Sequence, residues 1–130
     1  MEKAPVISIV DDDESVRVAM KGLVRSLGYL AATFASAEEY LRSDHVQDTA
    51  CLIVDLQMPG MSGVELQDRL IADGHTTPII FLTAFPEEKI RARALAAGAS
   101  GFLSKPFNEE CLIACLDRAL KRDSADSTEH

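Results

Sequence analysis

Positive charge is what this chain most lacks: 13 Lys and Arg stand against 21 Asp and Glu, a net charge of −8. Such a balance opposes direct binding to nucleic acid or to an anionic membrane, both of which reward clustered basic side chains. Long apolar runs are missing as well. No stretch approaches the roughly 18 residues that mark a membrane span. The N-terminus lacks the basic, then apolar, then small-residue order of a signal peptide, and the chain enters a strand within a few residues. Cysteine is scarce, with only Cys51, Cys111 and Cys115. An odd count without a signal peptide points to reduced thiols in the cytoplasm rather than to a disulfide framework. Cys111 and Cys115 share a helix face, but two such ligands without a nearby His pair make a poor zinc site. All three read as buried, inert thiols. His45, His75 and His130 fall in polar loops or the tail and read as solvent-exposed. There is no internal repeat, no interdomain linker and no GxxxxGK[ST] phosphate loop.

What is present is an ordinary globular composition, 47% hydrophobic and 26% charged over 130 residues, enough for one domain with a full core. Five apolar runs alternate with five helical patterns. The strands are Val6–Val10, Tyr29–Phe34, the run Leu52-Ile53-Val54 ending in Asp55, Ile79–Thr83 and Ser100–Ser104. The first helix carries Val16, Met20, Leu23, Val24 and Leu27 as a stripe of helical period and stops at Gly28. Ser36-Ala37-Glu38-Glu39 reads as a capping box opening a short helix with Tyr40 and Leu41 inward. Ser62-Gly63-Val64-Glu65 is a second capping box, with Leu66, Leu70 and Ile71 behind it and Gly74 as the stop. Pro86 suits the first turn of the fourth helix, where Glu87 and Glu88 favour the positive end of the dipole. That helix buries Ile90, Ala94 and Ala97 and exposes Lys89, Arg91 and Arg93 as a basic patch. Asn108 is the N-cap of the last helix, with a staple between Phe107 and Leu112 and a buried stripe of Leu112, Leu116, Ala119 and Leu120. Residues 1–121 read as one unit, and 122–130 as a polar tail or the start of a linker. Alternating strands and helices predict an α/β fold, a doubly wound parallel sheet with helices on both faces.

The chemistry-bearing residues fall at the C-terminal ends of these strands, where ligands collect in parallel sheets. Asp11, Asp12 and Asp13 end the first strand, Asp55 the third, Thr83 the fourth and Lys105 the fifth. A flavodoxin-like order of 2-1-3-4-5 sets these ends side by side, with neighbours ~4.8 Å apart. Three or more carboxylates at one edge repel one another and call for a cation. Hard oxygen ligands suit Mg²⁺, which keeps several waters and so has positions open for a phosphoryl oxygen. Thr83 can donate to a second phosphoryl oxygen and Lys105 can pair with a third. Asp55 is then left as the nucleophile that receives the phosphoryl group. Asp13, an acid beyond the pair, reads as a helix N-cap.

These residues also carry a resemblance. Asp11-Asp12, the segment Asp55-Leu56-Gln57-Met58-Pro59-Gly60-Met61-Ser62-Gly63, Leu82-Thr83-Ala84 and Lys105-Pro106-Phe107 occur in order over Val6–Leu120. The chain resembles a receiver domain of a two-component response regulator. The stretch Leu82–Phe107 is most similar to receivers fused to helix-turn-helix outputs of the LuxR type. The resemblance implies a CheY-like fold and Mg²⁺-dependent transfer of a phosphoryl group from a sensor histidine kinase to Asp55, with Mn²⁺ able to substitute. It implies Asp12 as a direct metal ligand beside Asp55, Asp11 acting through water, the Gln57 backbone carbonyl completing the set, and a cis Lys105–Pro106 peptide. It implies a switch in which the Thr83 hydroxyl moves inward and Phe102 follows. Phe102 lacks the Tyr hydroxyl of many relatives, so a readout that needs that hydrogen bond is not expected of this chain. The output surface would be the fourth helix, fifth strand and fifth helix, contacting an output domain, a partner protein or, after phosphorylation, a second copy. Gln57 and Phe85 flank the site and would modulate the lifetime of the phosphorylated form. The chain is either a stand-alone regulator or a piece of a longer one, and the resemblance favours the second.

Two rival readings fail on single residues. A phosphohydrolase of the haloacid dehalogenase type needs an aspartate two residues after the nucleophile as general acid and base. Gln57 stands there, and an amide cannot shuttle protons at neutral pH. The protein is therefore expected not to turn over a substrate, beyond slow loss of phosphate from its own Asp55. A receiver-like module that is never phosphorylated would lack the nucleophile, an acidic residue or the lysine, and this chain keeps them all.

Overall fold

The strand residues alternate between two apolar faces, and that alternation decides how the helices pack. In the strand Thr49–Asp55 (β3), Cys51 and Ile53 face one way, and Leu52 and Val54 the other. All four are fully buried, so the sheet must be covered on both sides. The structure, a computed structural model, describes residues 4–84 and 87–128, with side chains as far as Leu120. Phe85 and Pro86, placed by the sequence beside the site and in the fourth helix, lie outside the described residues, as does His130.

The other strands are β1 (Val6–Val10), β2 (Leu30–Phe34), β4 (Ile79–Thr83) and β5 (Gly101–Ser104). They form one parallel sheet in the order β2-β1-β3-β4-β5. The helices are α1 (Glu14–Ser26), α2 (Ala37–Leu41), α3 (Gly63–Ala72), α4 (Glu88–Ala96) and α5 (Glu109–Thr128). One core gathers Met20 and Val24 of α1 with Leu112, Leu116 and Ala119 of α5 against Ile7, Ile9, Ile53 and Ile80. The other gathers Tyr40 of α2, Leu66 and Leu70 of α3 and Ala94 of α4 against Leu52, Val54 and Phe81. The fold is the doubly wound one that the strand and helix pattern predicts.

Local signals act largely as the sequence implies. Asp13 caps α1, its carboxylate accepting from Ser15 N at 2.9 Å. Ser62 and Glu65 form the full reciprocal capping box at α3. Asn108 Oδ1 accepts from Cys111 N at the start of α5. At α2 the box is only half made: Ser36 accepts from Glu39 N, but Glu39 reaches back to Ala35 N instead of to its cap.

Several expectations need correction. Ile71 is half exposed, because it stands one residue past the Leu66–Leu70 stripe and rotates out of it. Leu27 and Ala97 are exposed because each is a C-capping residue, where the chain has already left the helix. Cys111 is exposed, one residue before the buried stripe of α5 begins at Leu112, whereas Cys51 and Cys115 are buried. His45 and His75 are half-buried rather than free in loops. His45 lies in a 3₁₀ turn, Asp44–Val46, with its ring in a T-shaped contact with Phe34 and Nδ1 3.1 Å from Asp48. Helix α5 continues to Thr128, past Lys121, where the apolar pattern stops.

Candidate functional site

Parallel register places the ends of β1, β3 and β4 at one level. Val10 pairs with Val54, and Asp55 pairs with Leu82. The residues just beyond these pairs are therefore neighbours. Asp11 is fully buried, Asp55 is 5% exposed and Asp12 reaches solvent. One carboxylate oxygen from each lies within 4.8 Å of the others, the one such group of three among the described residues. Lys105 stands in the turn after β5, and its peptide to Pro106 is cis. Its Nζ stands 2.8 Å from Asp55 Oδ2 and 2.9 Å from Asp11 Oδ2. The other Asp55 oxygen accepts from Gln57 N at 3.0 Å, and Asp11 Oδ1 accepts from Asp13 N at 2.9 Å.

Crowding at the sheet edge shifts the titration of these groups. Burial pushes the Asp11 carboxyl above the usual carboxylate range, against the opposing pull of the Asp13 N–H and Lys105, and the nearby Asp55 charge adds to the rise. Burial alone would lower the Lys105 pKa, but its bond to Asp55 and its close charge interactions with Asp11 and Asp55 outweigh it and raise the pKa, so the ammonium stays charged. Asp11 Oδ2 is sealed from solvent and takes no well-angled hydrogen bond; Lys105 is only its counter-charge. Three carboxylates balanced by one lysine leave the pocket negative. An all-oxygen, partly open donor set of that charge fits a hard divalent cation.

Thr83 is buried at the end of β4, and its carbonyl accepts from Lys105 N at 2.9 Å. Phe102 is half-buried on β5, stacked on Phe81 with centroids 5.5 Å apart. Thr83 and Phe102 line a partly open cavity of about 170 Å³, together with Leu56, Glu87 and Arg91. The expected basic patch of α4 is largely answered by acids: Arg93 bonds Asp68 at 2.7 Å and Arg91 approaches Glu88 at 3.7 Å. Arg91 also lies over the Phe102 ring, 5.6 Å from its centroid.

Sequence reasoning missed three contributors. Arg17 of α1 donates from Nη1 to the Asp11 carbonyl at 2.7 Å, a contact hinted at only by a basic residue one turn after the acidic run. Glu38 of α2 accepts from Met61 N across 23 residues, for which no local pattern exists. Gln67 is 2% exposed among apolar neighbours of α3 and donates to the Ala94 carbonyl at 3.1 Å.

Comparison with known proteins agrees with this arrangement. The family described as "Response regulator receiver domain" matches residues 7–117. The response regulator protein TodT of Pseudomonas putida F1 is 40% identical over 120 residues, 92% of this chain and 53% of TodT. The transcriptional regulatory protein TdiR of Thauera aromatica is 35% identical over 125 residues, 95% of this chain and 55% of TdiR. The solved structure of response regulator StyR superposes with a TM-score of 0.86 at 39% identity, covering 98% of this chain and 66% of that one. The chain thus spans about half the length of the curated relatives it matches. With the family match over nearly its whole length and the acidic cluster at the sheet edge, the chain belongs to the response-regulator receiver domains of two-component signalling.

Proposed function

We propose that this domain accepts a phosphoryl group on Asp55 from the phosphohistidine of a sensor histidine kinase, and that the modified domain then controls an output, a transcriptional one as the name of TdiR suggests. The observation that carries this is the Asp55 carboxylate itself: buried at a strand end, gripped by Lys105 and within 4.8 Å of the Asp11 and Asp12 oxygens. In the transfer an Asp55 oxygen forms the new bond to phosphorus as the phosphorus–nitrogen bond of the donor breaks. The imidazole leaves with the electron pair and takes a proton from solvent. Lys105, already charged and aimed at Asp55, pairs with one phosphoryl oxygen, and the Thr83 hydroxyl donates to another. Asp12 and Asp55 are assigned as direct metal ligands with the Gln57 carbonyl, and Asp11 as a ligand through water. Mg²⁺ bound there, or Mn²⁺ in its place, would neutralise the charge that gathers on the phosphoryl oxygens.

Without an acid or base at Gln57, the chain is a stoichiometric acceptor and not a hydrolytic enzyme. The cavity lined by Thr83 and Phe102 gives the ring somewhere to go when Thr83 turns toward the phosphoryl group. That movement would shift a pre-existing equilibrium at the face made by α4, β5 and α5, the surface for an output domain, a partner or a second copy. No helix of the described residues is long and apolar enough to cross a membrane, and a cytoplasmic setting remains part of the proposal. Residues 1–121 are proposed as the receiver unit, and 122–130 as a tail or the start of a linker.

Intact mass after incubation with phosphoramidate, with and without Mg²⁺, tests the reading beside Asp55→Asn. A single phosphoryl adduct that needs Mg²⁺ and vanishes in the variant is the expected result. No adduct on the unmodified chain under any condition would overturn it in favour of a phosphorylation-independent module.

A further inference from the structure

The loop after β3 has to hold the Gln57 carbonyl in place, yet Gln57 is exposed and Pro59-Gly60 turns the chain sharply. At its near end the loop is well tied: Leu56 N donates to Leu82 O, Gly63 N to Leu56 O, and Gln57 N to Asp55 Oδ1. These anchors come from β3, β4 and the first residue of α3. The outer turn depends on something else. Gly60 has φ +76°, in the left-handed region that glycine reaches without strain, and the Met61 N–H stands just beyond it, ahead of the α3 cap. Glu38 of α2 meets that N–H, with Oε2 3.1 Å from Met61 N. The same oxygen would lie 2.8 Å from a β-carbon placed on Gly60, so the carboxylate rests directly against the turn. Among the described residues this is the one side-chain hydrogen bond that reaches residues 57–61 from outside β3.

We infer that Glu38 is a positioning residue for the phosphoryl-acceptor site, clasping the outer turn so that the Gln57 carbonyl stays aimed at the metal position; this rests on the reading under Proposed function. A carboxylate bonded to a main-chain N–H is a charge-assisted contact, stronger than a neutral one. Ser36 fixes where α2 begins by capping it at Glu39 N, which sets Glu38 on the first turn, facing the loop. Outer contacts of this kind orient metal ligands without touching the metal, and their loss is felt chiefly in metal affinity. Helix α2 thereby joins a site to which it contributes no ligand.

The experiment compares Glu38→Ala and Glu38→Gln with the unmodified chain. Three quantities are read: Mg²⁺ affinity by calorimetry, the Mg²⁺ dependence of phosphorylation by phosphoramidate, and hydrogen exchange of the Met61 amide. Glu38→Ala is expected to weaken Mg²⁺ binding about tenfold, to recover the unmodified rate at saturating Mg²⁺, and to speed Met61 exchange. Glu38→Gln keeps an acceptor oxygen and is expected to restore Mg²⁺ affinity to within about twofold. Unchanged Mg²⁺ affinity in Glu38→Ala, even with a lower melting temperature, overturns the inference and leaves Glu38 a purely structural contact. An unmodified chain that binds Mg²⁺ but never forms an adduct overturns the acceptor reading instead, and the affinity comparison still decides the role of Glu38.

Discussion

Helices α3 and α4 sit side by side on the same face of the sheet and are held in opposite ways. Helix α3 starts with a full capping box and buries Val64, Leu66, Gln67 and Leu70, and its first residue presses on the backbone of Asp55. Helix α4 buries only Ala94, has no side-chain N-cap bond and leaves Leu95 43% exposed. Beyond the apolar contact of Ala94 and Ile90, its links to α3 are polar: Gln67 to the Ala94 carbonyl and Arg93 to Asp68. Apolar packing fixes one geometry and resists change, while a few hydrogen bonds can be exchanged for others at small net cost. The molecule thus puts rigidity beside the proposed acceptor carboxylate and looseness at the proposed output face.

The sharpest way to break this contrast is Gly63→Ala. A β-carbon there would stand 2.5 Å from the Asp55 carbonyl oxygen, a backbone atom that cannot step aside. The expected loss is about 3 kcal/mol, roughly a 10 °C fall in melting temperature by circular dichroism. A fall of less than about 2 °C would show that the α3 contact is not tight.

Asp11→Asn should act in the other direction. The raised pKa means the folded chain holds that proton more tightly than the unfolded chain does. The associated stability is present below the unfolded value of 3.8, is lost as pH rises through the folded value, and is absent at neutral pH. Removing the charge is expected to stabilise the Mg²⁺-free protein at pH 7 by about 1 kcal/mol, a few degrees. The gain should shrink as pH falls through the raised pKa. Mg²⁺ should narrow or reverse the difference, since the unmodified chain is expected to bind it more tightly and so to gain more from it. Equal melting temperatures across the pH range would show that the buried Asp11 charge costs the fold nothing.

Gln67→Leu is the mildest change and the one that sharpens the comparison most. The Gln67 amide leaves its oxygen buried without a hydrogen bond, and Ala94 O keeps the bond from Ala99 N when the side-chain tie goes. Global stability should move by less than about 1 kcal/mol. Amide exchange in α4 should quicken while α3 is unchanged. Equal exchange in both helices would mean that the tie does not hold α4.

How far the sequence could be read follows the same division. Strand and helix alternation, the caps at Asp13, Ser62 and Asn108, and the convergence of Asp11, Asp55, Thr83 and Lys105 were legible because each rests on local pattern plus one topological rule. What escaped was set by packing at a distance. Ile71 and Ala97 look like stripe residues until the axis of the helix and its last turn are known. Gln67 and Glu38 give no local signal of their roles, because their partners lie 27 and 23 residues away. Polar side chains with long-range partners leave no period for a sequence to display.

The uneven burial of the three thiols has a practical side. Cys51 is sealed in the core with its thiol pushed up to about 12, and Cys115 is buried as well, its thiol also raised chiefly by burial. Cys111 alone meets solvent, on the first turn of α5. Thiolate-directed reagents act on accessible sulfur, so a maleimide dye or spin label would attach there without any engineered substitution. The chain contains no tryptophan to compete with such a probe. The protein carries a single native attachment point on a helix of its proposed output face.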